Sequence, residues 1–348
     1  MSPAYAVAAI DPGKDRQQLV SLWQRNWHTP PPVARWDWLY RSGAGQGFLL
    51  HDPVAGCIGA CGLMARRMRL DGIDLRAGVA ADLSVDQAHR SVGPALKLER
   101  ALASAADESG LQLVYAFPNR RSEPVFTRIG YRRIGAFERW SLPLRSEPYL
   151  ARLLSMPSLA RAAAFIVDGA REARIDRRCR AIPKETRFFE CTGYDHRFDE
   201  LFRRTAARRP LLGQRDAAYL NWRFASDPEG GFRTLAACDP HGDIKAYLSY
   251  RRRDDQVSIV DCLYEDRAHW RDTVAVFLRR MCNEHVAAVS FMFLGPREPL
   301  DVLRRFGFWR RDTSRSVLVR FAPGPSSVAV SLDRADWWLT IADTDASR

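Results

Sequence analysis

Long apolar runs are missing from this sequence. The longest, such as Ala162–Val167, fall far short of the roughly 20 residues that cross a bilayer, so no membrane-spanning helix is expected. Met1 to Lys14 has no basic start followed by an apolar core and a small-residue cleavage site, so no secretory signal is visible and a cytoplasmic location is expected. Cys57, Cys61, Cys179, Cys191, Cys238, Cys262 and Cys282 form no CxxC pair and have no histidines at matching spacing. They read as buried or incidental thiols of a reducing compartment. No histidine pairs with a carboxylate or cysteine at metal spacing, and no Gly-x-Ser-x-Gly elbow is present, so neither a metal centre nor a serine hydrolase has support. Homeodomain, zinc-finger and RNP patterns are absent too, which argues against sequence-specific nucleic-acid binding.

What is present is a folded chain of 348 residues, 46% hydrophobic and 27% charged, long enough for two domains. Its net charge of +12 points to an anionic partner, whether a nucleotide cofactor, nucleic acid or acidic lipid, and charge alone does not choose among them. Arginine pairs recur, among them Arg66-Arg67, Arg120-Arg121 and Arg251-Arg252-Arg253. Most read as solvated faces, and some as the lining of a path for phosphates.

The chain repeats itself. Phe48 to Ala60 reads as strand, Asp52-Pro53 turn and strand, and Leu235 to Ala246 gives the same pattern around Asp239-Pro240. Tyr115 to Tyr131, a strand, a short helix capped by Gly130 and another strand, is answered by Phe293 to Phe308 with its Gly307. The aromatic helices Trp36 to Tyr40 and Tyr219 to Phe224 correspond as well, with packing as their expected role. Between the halves, Glu147 to about Ala181 has helical apolar spacing and many arginines. It reads as a connector with a solvated basic face, the alternative being a membrane-surface helix. Division at 1–143, 144–185, 186–322 and 323–348 is expected, the last segment, with Trp337-Trp338, being a docked strand or a lip of the acceptor cleft.

In the first half, Gly78 to Val85 alternates as a strand does, with Val79, Ala81, Leu83 and Val85 on one face and Asp82 and Ser84 on the other. Arg90, Ser91, Val92, Gly93, Pro94 and Ala95 then open an amphipathic helix running through Leu96, Leu98, Leu102 and Ala105. A glycine lets the backbone approach an anion, a first-turn proline costs little there, and the free N–H groups and helix dipole face outward. Strand, turn and helix amino terminus make an anion site. In the second half the strand Gln256 to Leu263 runs into Glu265-Asp266-Arg267 with no glycine, and two carboxylates stand where an anion would bind.

The pattern Arg90-x-x-Gly93-x-Ala95 after Asp82-Leu83-Ser84-Val85 resembles the pyrophosphate loop of the GCN5-related N-acetyltransferase (GNAT) superfamily. Asn119, Ser122, Phe126, Gly130 and Tyr131 are similar to that family's second signature. The resemblance covers residues 5 to 143, and the second half through the repeat. It implies two α/β GNAT-like domains in tandem, each a mixed, mostly antiparallel twisted sheet flanked by helices and joined by a helical connector. It further implies that residues 90 to 95 cradle the pyrophosphate of acetyl-CoA or another short acyl-CoA. Leu83, Ser84 and Val85 would pair with its pantetheine arm, and Asn119 would hydrogen-bond that arm.

Asp82 is the nearest carboxylate for a general base, its alternative being a hydrogen-bonded strand-end aspartate or a partner of Arg90. Phe126 stands where many family members have a proton-donating tyrosine. The CoA thiol can leave as thiolate without a donor, or Tyr131 or Tyr115 would stand in for the missing one, the alternative being that both are core aromatics. The resulting expectation is an N-acetyltransferase acting on a small-molecule or saccharide amine, for example an amino sugar or a cell-envelope precursor. The alternatives are an aminoacyl-tRNA-dependent transferase and a non-catalytic CoA-binding protein.

Overall fold

The computed structural model describes residues 5–312, 315–323 and 330–345. Parts of the amino-terminal reading (1–4) and of the expected carboxy-terminal segment (324–329 and 346–348) lie outside the described residues, as do 313–314 of the second half.

The chain begins with strand β1 (Ala6–Ala9) and helix α1 (Arg16–Asn26), whose Leu19, Val20, Leu22 and Trp23 recur at helical spacing and are buried. A single turn, α2 (Ala34–Trp36), widens into a π-type turn over Asp37–Arg41. Then come β2 (Gly45–Asp52), β3 (Gly56–Leu70), β4 (Ile73–Val85), helix α3 (Val92–Glu108), β5 (Leu113–Ala116), α4 (Glu123–Arg128), β6 (Arg132–Ala136) and β7 (Glu138–Pro143). The connector forms α5 (Glu147–Leu150) and the long α6 (Pro157–Arg180). In the second half, β8 (Arg187–Cys191), α7 (His196–Ala206), β9 (Leu211–Gly213) and α8 (Ala217–Leu220) lead to a second π-type turn at Asn221–Ala225. The order β10 (Phe232–Cys238), β11 (Ile244–Arg253), β12 (Gln256–Tyr264), α9 (Arg267–Asn283), β13 (Ala288–Phe293), α10 (Glu298–Arg305) and β14 (Trp309–Arg311) then repeats that of β2 to β6. β15 (Ser316–Phe321) and β16 (Trp337–Trp338) close the described chain.

Two mixed, mostly antiparallel sheets result, each flanked by helices. Their strands do not follow the linear division of the chain. β7 leaves the first half and pairs with β13 and β14 of the second sheet. β15 returns from the second half and lies between β5 and β6 of the first. The expected boundaries at 143 and 322 therefore separate stretches of sequence but not sheets: 138–143 belongs to the second sheet and 316–321 to the first. The physical reason is that each sheet leaves a gap beside its parallel strand, β5 or β13, that a strand from the other half fills with backbone hydrogen bonds.

Further contacts tie the halves together. Trp38 and Trp222, one from each π-type turn, stack with ring centroids 4.5 Å apart and planes 8° from parallel. Each indole N–H donates to the other residue's carbonyl oxygen, at 2.9 and 3.5 Å. β9 runs beside β3, and β16 runs beside β9, so Trp337 and Trp338 are fully buried. The carboxy-terminal segment is thus docked as a strand. Just beyond it, the Asp343 carboxylate accepts from Arg66 of β3 (2.9 Å) and from both terminal nitrogens of Arg215, which also donates to Asp261 of β12 (3.1 Å). Burial alone lifts the Asp343 carboxyl; Arg215 and Arg66 outweigh it and hold it down to about 2. Among the described residues, no helix is long and apolar enough to cross a membrane.

Asp343→Asn takes the shared carboxylate from the buried Arg66 and Arg215, leaving Arg215 with Asp261, and is expected to lower the unfolding free energy by about 3–5 kcal/mol, read by urea denaturation. Because the folded pKa lies below the unfolded value of about 3.9, the wild-type contribution is complete above that pH. It is expected to disappear as pH falls through about 2, and the Asn variant should lack this acid-dependent loss.

Candidate functional site

β4 and β5 run parallel from Ala77 beside Leu113 to Ala80 beside Ala116, and their pairing then stops. β4 continues to Val85 while staying paired with β3, so its edge toward β5 opens into a wedge. The cause is a bulge: Ala60 faces Ser84 and Gly62 faces Ala81, so Cys61 alone spans Asp82 and Leu83. Asp82 sits at φ +53°, a left-handed conformation that a side chain accepts only when held. It is held by Arg35, whose Nη2 donates to Oδ1 at 3.0 Å, and by the Tyr40 hydroxyl, which donates to Oδ2 at 2.8 Å. Gly62 leaves room for that hydroxyl, since a Cβ there would lie 2.5 Å from it. Burial first, then the Asp82 carboxylate, push the Tyr40 phenol well above its ordinary range.

The bulge alters the expected alternation. Val79 and Ala81 face the core under α1 and the π-type turn, whereas Leu83 and Val85 face the core under α3 and α4. One extra residue shifts the pleat by one position, which the sequence pattern alone did not show.

From Val85 the chain makes a short turn and enters α3. Asp86 accepts from Arg25 (2.9 Å) and Asn26 (2.5 Å) at the end of α1, and Arg90 folds back onto the Val85 carbonyl and Asn26. Arg90 is therefore a brace of the loop. Ser91 starts α3 without a side-chain capping bond, and the first turn carries no acidic residue. Ser91, Val92 and Gly93 are exposed, while Pro94 and Ala95 turn inward. A Cβ on Gly93 would meet no protein atom within 4 Å, so packing does not demand glycine there. The N–H groups of this 17-residue helix thus face open space beside the wedge. α9 is different: Asp266 caps it, accepting from the N–H groups of Ala268 (2.8 Å) and His269 (2.9 Å), and Glu265 pairs with Arg204 and Lys245. A carboxylate of the protein thus fills the start of α9, the place equivalent to the open end of α3.

The other residues singled out in the sequence are spread around the wedge. Asn119 lies past the end of β5, where its Oδ1 accepts from the N–H groups of Arg121 and Ser122 and so shapes the start of α4. Tyr131 is buried in the core beneath α3, edge-on to Phe126 at 5.1 Å, with no partner for its hydroxyl. Burial raises that phenol strongly. Tyr115 is a fully buried core aromatic on the other face. Asp82, also buried, and Tyr131 therefore stand on opposite faces of the sheet and do not meet.

Three features of the site had little or no sequence signal. Arg35 comes from α2 and Tyr40 from the π-type turn that follows it, a stretch that reads as ordinary aromatic packing. Arg25 and Asn26 lie more than fifty residues before the loop that they brace. Glu99 of α3 points into the core with neither carboxylate oxygen partnered, and burial pushes its carboxyl up to about 8. Only its place on the apolar stripe of α3 hinted at burial.

Asp82→Asn is expected to cost about 3–5 kcal/mol, because it strands the buried Arg35 charge. Combining it with Arg35→Met should recover much of that loss in a double-mutant cycle followed by chemical denaturation. Simple additivity of the two single changes would show that the pair does not hold the kink.

No family model matches this chain, and no curated protein matches its sequence. Its backbone is similar to that of a conserved protein of unknown function from Enterococcus faecalis V583, a probable N-acyltransferase, with TM-score 0.65 and 10% identity over 92% of this chain and 72% of that one. It is also similar to GCN5-related N-acetyltransferases from Kribbella flavida (TM-score 0.60, 13% identity, 92% of this chain and 71% of that one) and Anabaena variabilis (TM-score 0.62, 13% identity, 91% and 72%). With two such sheets, each carrying the order strand, helix, strand, helix, strand, the chain has the GCN5-related N-acetyltransferase fold twice in tandem.

Proposed function

We propose that the protein is an acyl-CoA-dependent N-acyltransferase, moving an acetyl or other short acyl group to an amine. One contrast carries this reading: α3 presents an uncapped amino terminus with an open glycine beside a splayed strand pair, whereas the equivalent end of α9 is already filled by Asp266. Diphosphates bind where helix N–H groups converge without a competing carboxylate. Of the loop residues 90 to 95, the N–H groups of Ser91, Val92 and Gly93 would hold the pyrophosphate, since the Arg90 N–H is donated to the Gln87 carbonyl, with the side chains of Arg90 and Asn26 keeping the loop in shape. Leu83, Ser84 and Val85 offer the unpaired strand edge to the extended pantetheine arm, and Asn119 stands across the wedge from them. A bound acyl-CoA would supply an activated thioester, and a main-chain N–H on that edge would polarise its carbonyl.

In this reading Asp82 is a positioning residue, since both of its oxygens are engaged by Arg35 and Tyr40. It holds the bulge that opens the wedge. Proximity and polarisation then carry the catalysis, and the acceptor is a small-molecule or saccharide amine, an amino sugar or cell-envelope precursor among them. Seven free thiols support a cytoplasmic setting. A second reading, a non-catalytic CoA-binding protein, is favoured by Phe126, which cannot donate a proton, and by the enclosed Tyr131 hydroxyl.

Calorimetric titration with acetyl-CoA tests the proposal. We expect one site per chain, abolished in Gly93→Glu, whose carboxylate would take the anion's place at the exposed first turn without a clash. At 100 times Kd the ligand should add about 2.7 kcal/mol to the stability. Absence of binding by the wild type would overturn it; binding without turnover across a panel of amines would select the second reading.

A further inference from the structure

The connector carries a feature that the acyl-CoA reading does not use. Exposed large apolar side chains are concentrated there: Leu153 is 80% exposed, Phe165 83% and Ile166 69%, with Met156, Leu159 and Val167 beside them. α6 turns Ala160, Ala164 and Ile175 inward and packs against α9. Its outer face is formed by Leu159, Ile166, Ala170, Ala173 and Arg177, which recur every three, four or seven residues and so share one side of the helix. An outward apolar stripe of this kind is the reverse of what a solvated connector needs.

The stripe ends in a basic cleft. A cavity of about 690 Å³ between α6, α9 and α10 is lined by Arg174, Arg177, Arg178, Arg267, Arg271 and Arg305. Arg178 and Arg271 share the Asp272 carboxylate, at 2.5 and 3.1 Å. Arg174, Arg177, Arg267 and Arg305 have no ion-pair or hydrogen-bond partner among the described residues. Guanidinium groups gathered this closely repel one another unless an anion sits among them. Arginine's planar fork suits phosphate oxygens in particular.

From these two adjoining features we propose that α5, α6 and the arginine cleft dock the protein on an anionic phospholipid surface. Leu153, Leu159, Phe165 and Ile166 enter the acyl boundary, and the cleft takes lipid phosphate groups. Apolar insertion beside basic attraction is the chemistry of a helix lying in the bilayer interface, and neither contribution alone anchors firmly. A second copy of the chain is a poorer occupant, because it would bring the same unpaired arginines toward this face.

The test is co-sedimentation of the full-length protein with phosphatidylcholine vesicles and with vesicles holding about 30 mol % phosphatidylglycerol, at about 0.1 M salt. Binding is expected to the anionic vesicles and to be at least about tenfold weaker to neutral ones. Phe165→Glu/Ile166→Glu should abolish it while leaving the melting temperature unchanged, since both side chains are exposed. Arg174→Gln/Arg177→Gln/Arg267→Gln should weaken it by roughly fivefold for each charge removed. Equal partition into neutral vesicles, no binding to either, or variants that bind like the wild type would overturn the proposal. So would a dimer in sedimentation velocity that Phe165→Glu/Ile166→Glu dissolves without any lipid binding, which gives the face to a second copy. Arginine-dependent stabilisation by inorganic pyrophosphate with no vesicle binding would likewise overturn it, in favour of a soluble phosphate ligand.

Discussion

The Asp343 carboxylate is where the two halves of this molecule are locked together. Arg66 reaches it from β3, Arg215 from the segment between β9 and α8, where it also holds Asp261 of the second sheet, and the Thr340 N–H closes the turn around it. Each of these charges would be costly in an apolar interior, and together they are affordable only in one arrangement of the sheets and of the carboxy-terminal segment. Such a network specifies position more than it adds stability. Around it the exchanged strands β7 and β15 supply directional backbone bonds, and the Trp38–Trp222 stack fixes the approach of the two π-type turns. The halves are consequently one folding unit, although each has its own core.

The two sheets share a design and diverge at one point. Both central hairpins carry a bulge, between β3 and β4 and between β11 and β12, and both place an aspartate there bound to an arginine and a tyrosine: Asp82 with Arg35 and Tyr40, Asp261 with Arg215 and Tyr247. The bulge aspartates lie on the side where the halves meet. The difference arises at the next helix, where α3 leaves its amino terminus open and α9 is capped by its own carboxylate. One substitution pattern at a helix start separates an uncapped helix terminus from one capped by its own carboxylate.

Much of this was legible residue by residue. The repeat, the helix opening at Gly93 and the lack of glycine beside two carboxylates in the second half could be read because they depend on neighbours a few positions apart, whereas the capping of α9 by Asp266 came only with the structure. The role of Asp82 was not legible. Its sequence neighbours promise a strand with regular alternation, and only the match of Cys61 against two residues of β4 creates the kink that turns the aspartate toward Arg35. Tyr131 was likewise ambiguous, because whether a phenol meets a substrate or a core depends on which face of the sheet is covered.

By itself the sequence determined the local elements, their repetition, and the glycine- and proline-bearing start of α3, since these follow from propensity, periodicity and helix-start chemistry over a few residues. Only the tertiary structure decided that strands 138–143 and 316–321 change sheets, that Asp82 is committed to an ion pair, and that the connector turns an apolar face outward beside six arginines. Those outcomes depend on partners dozens to hundreds of residues away, chosen by which backbone edges and buried charges remain unsatisfied once the local elements have formed.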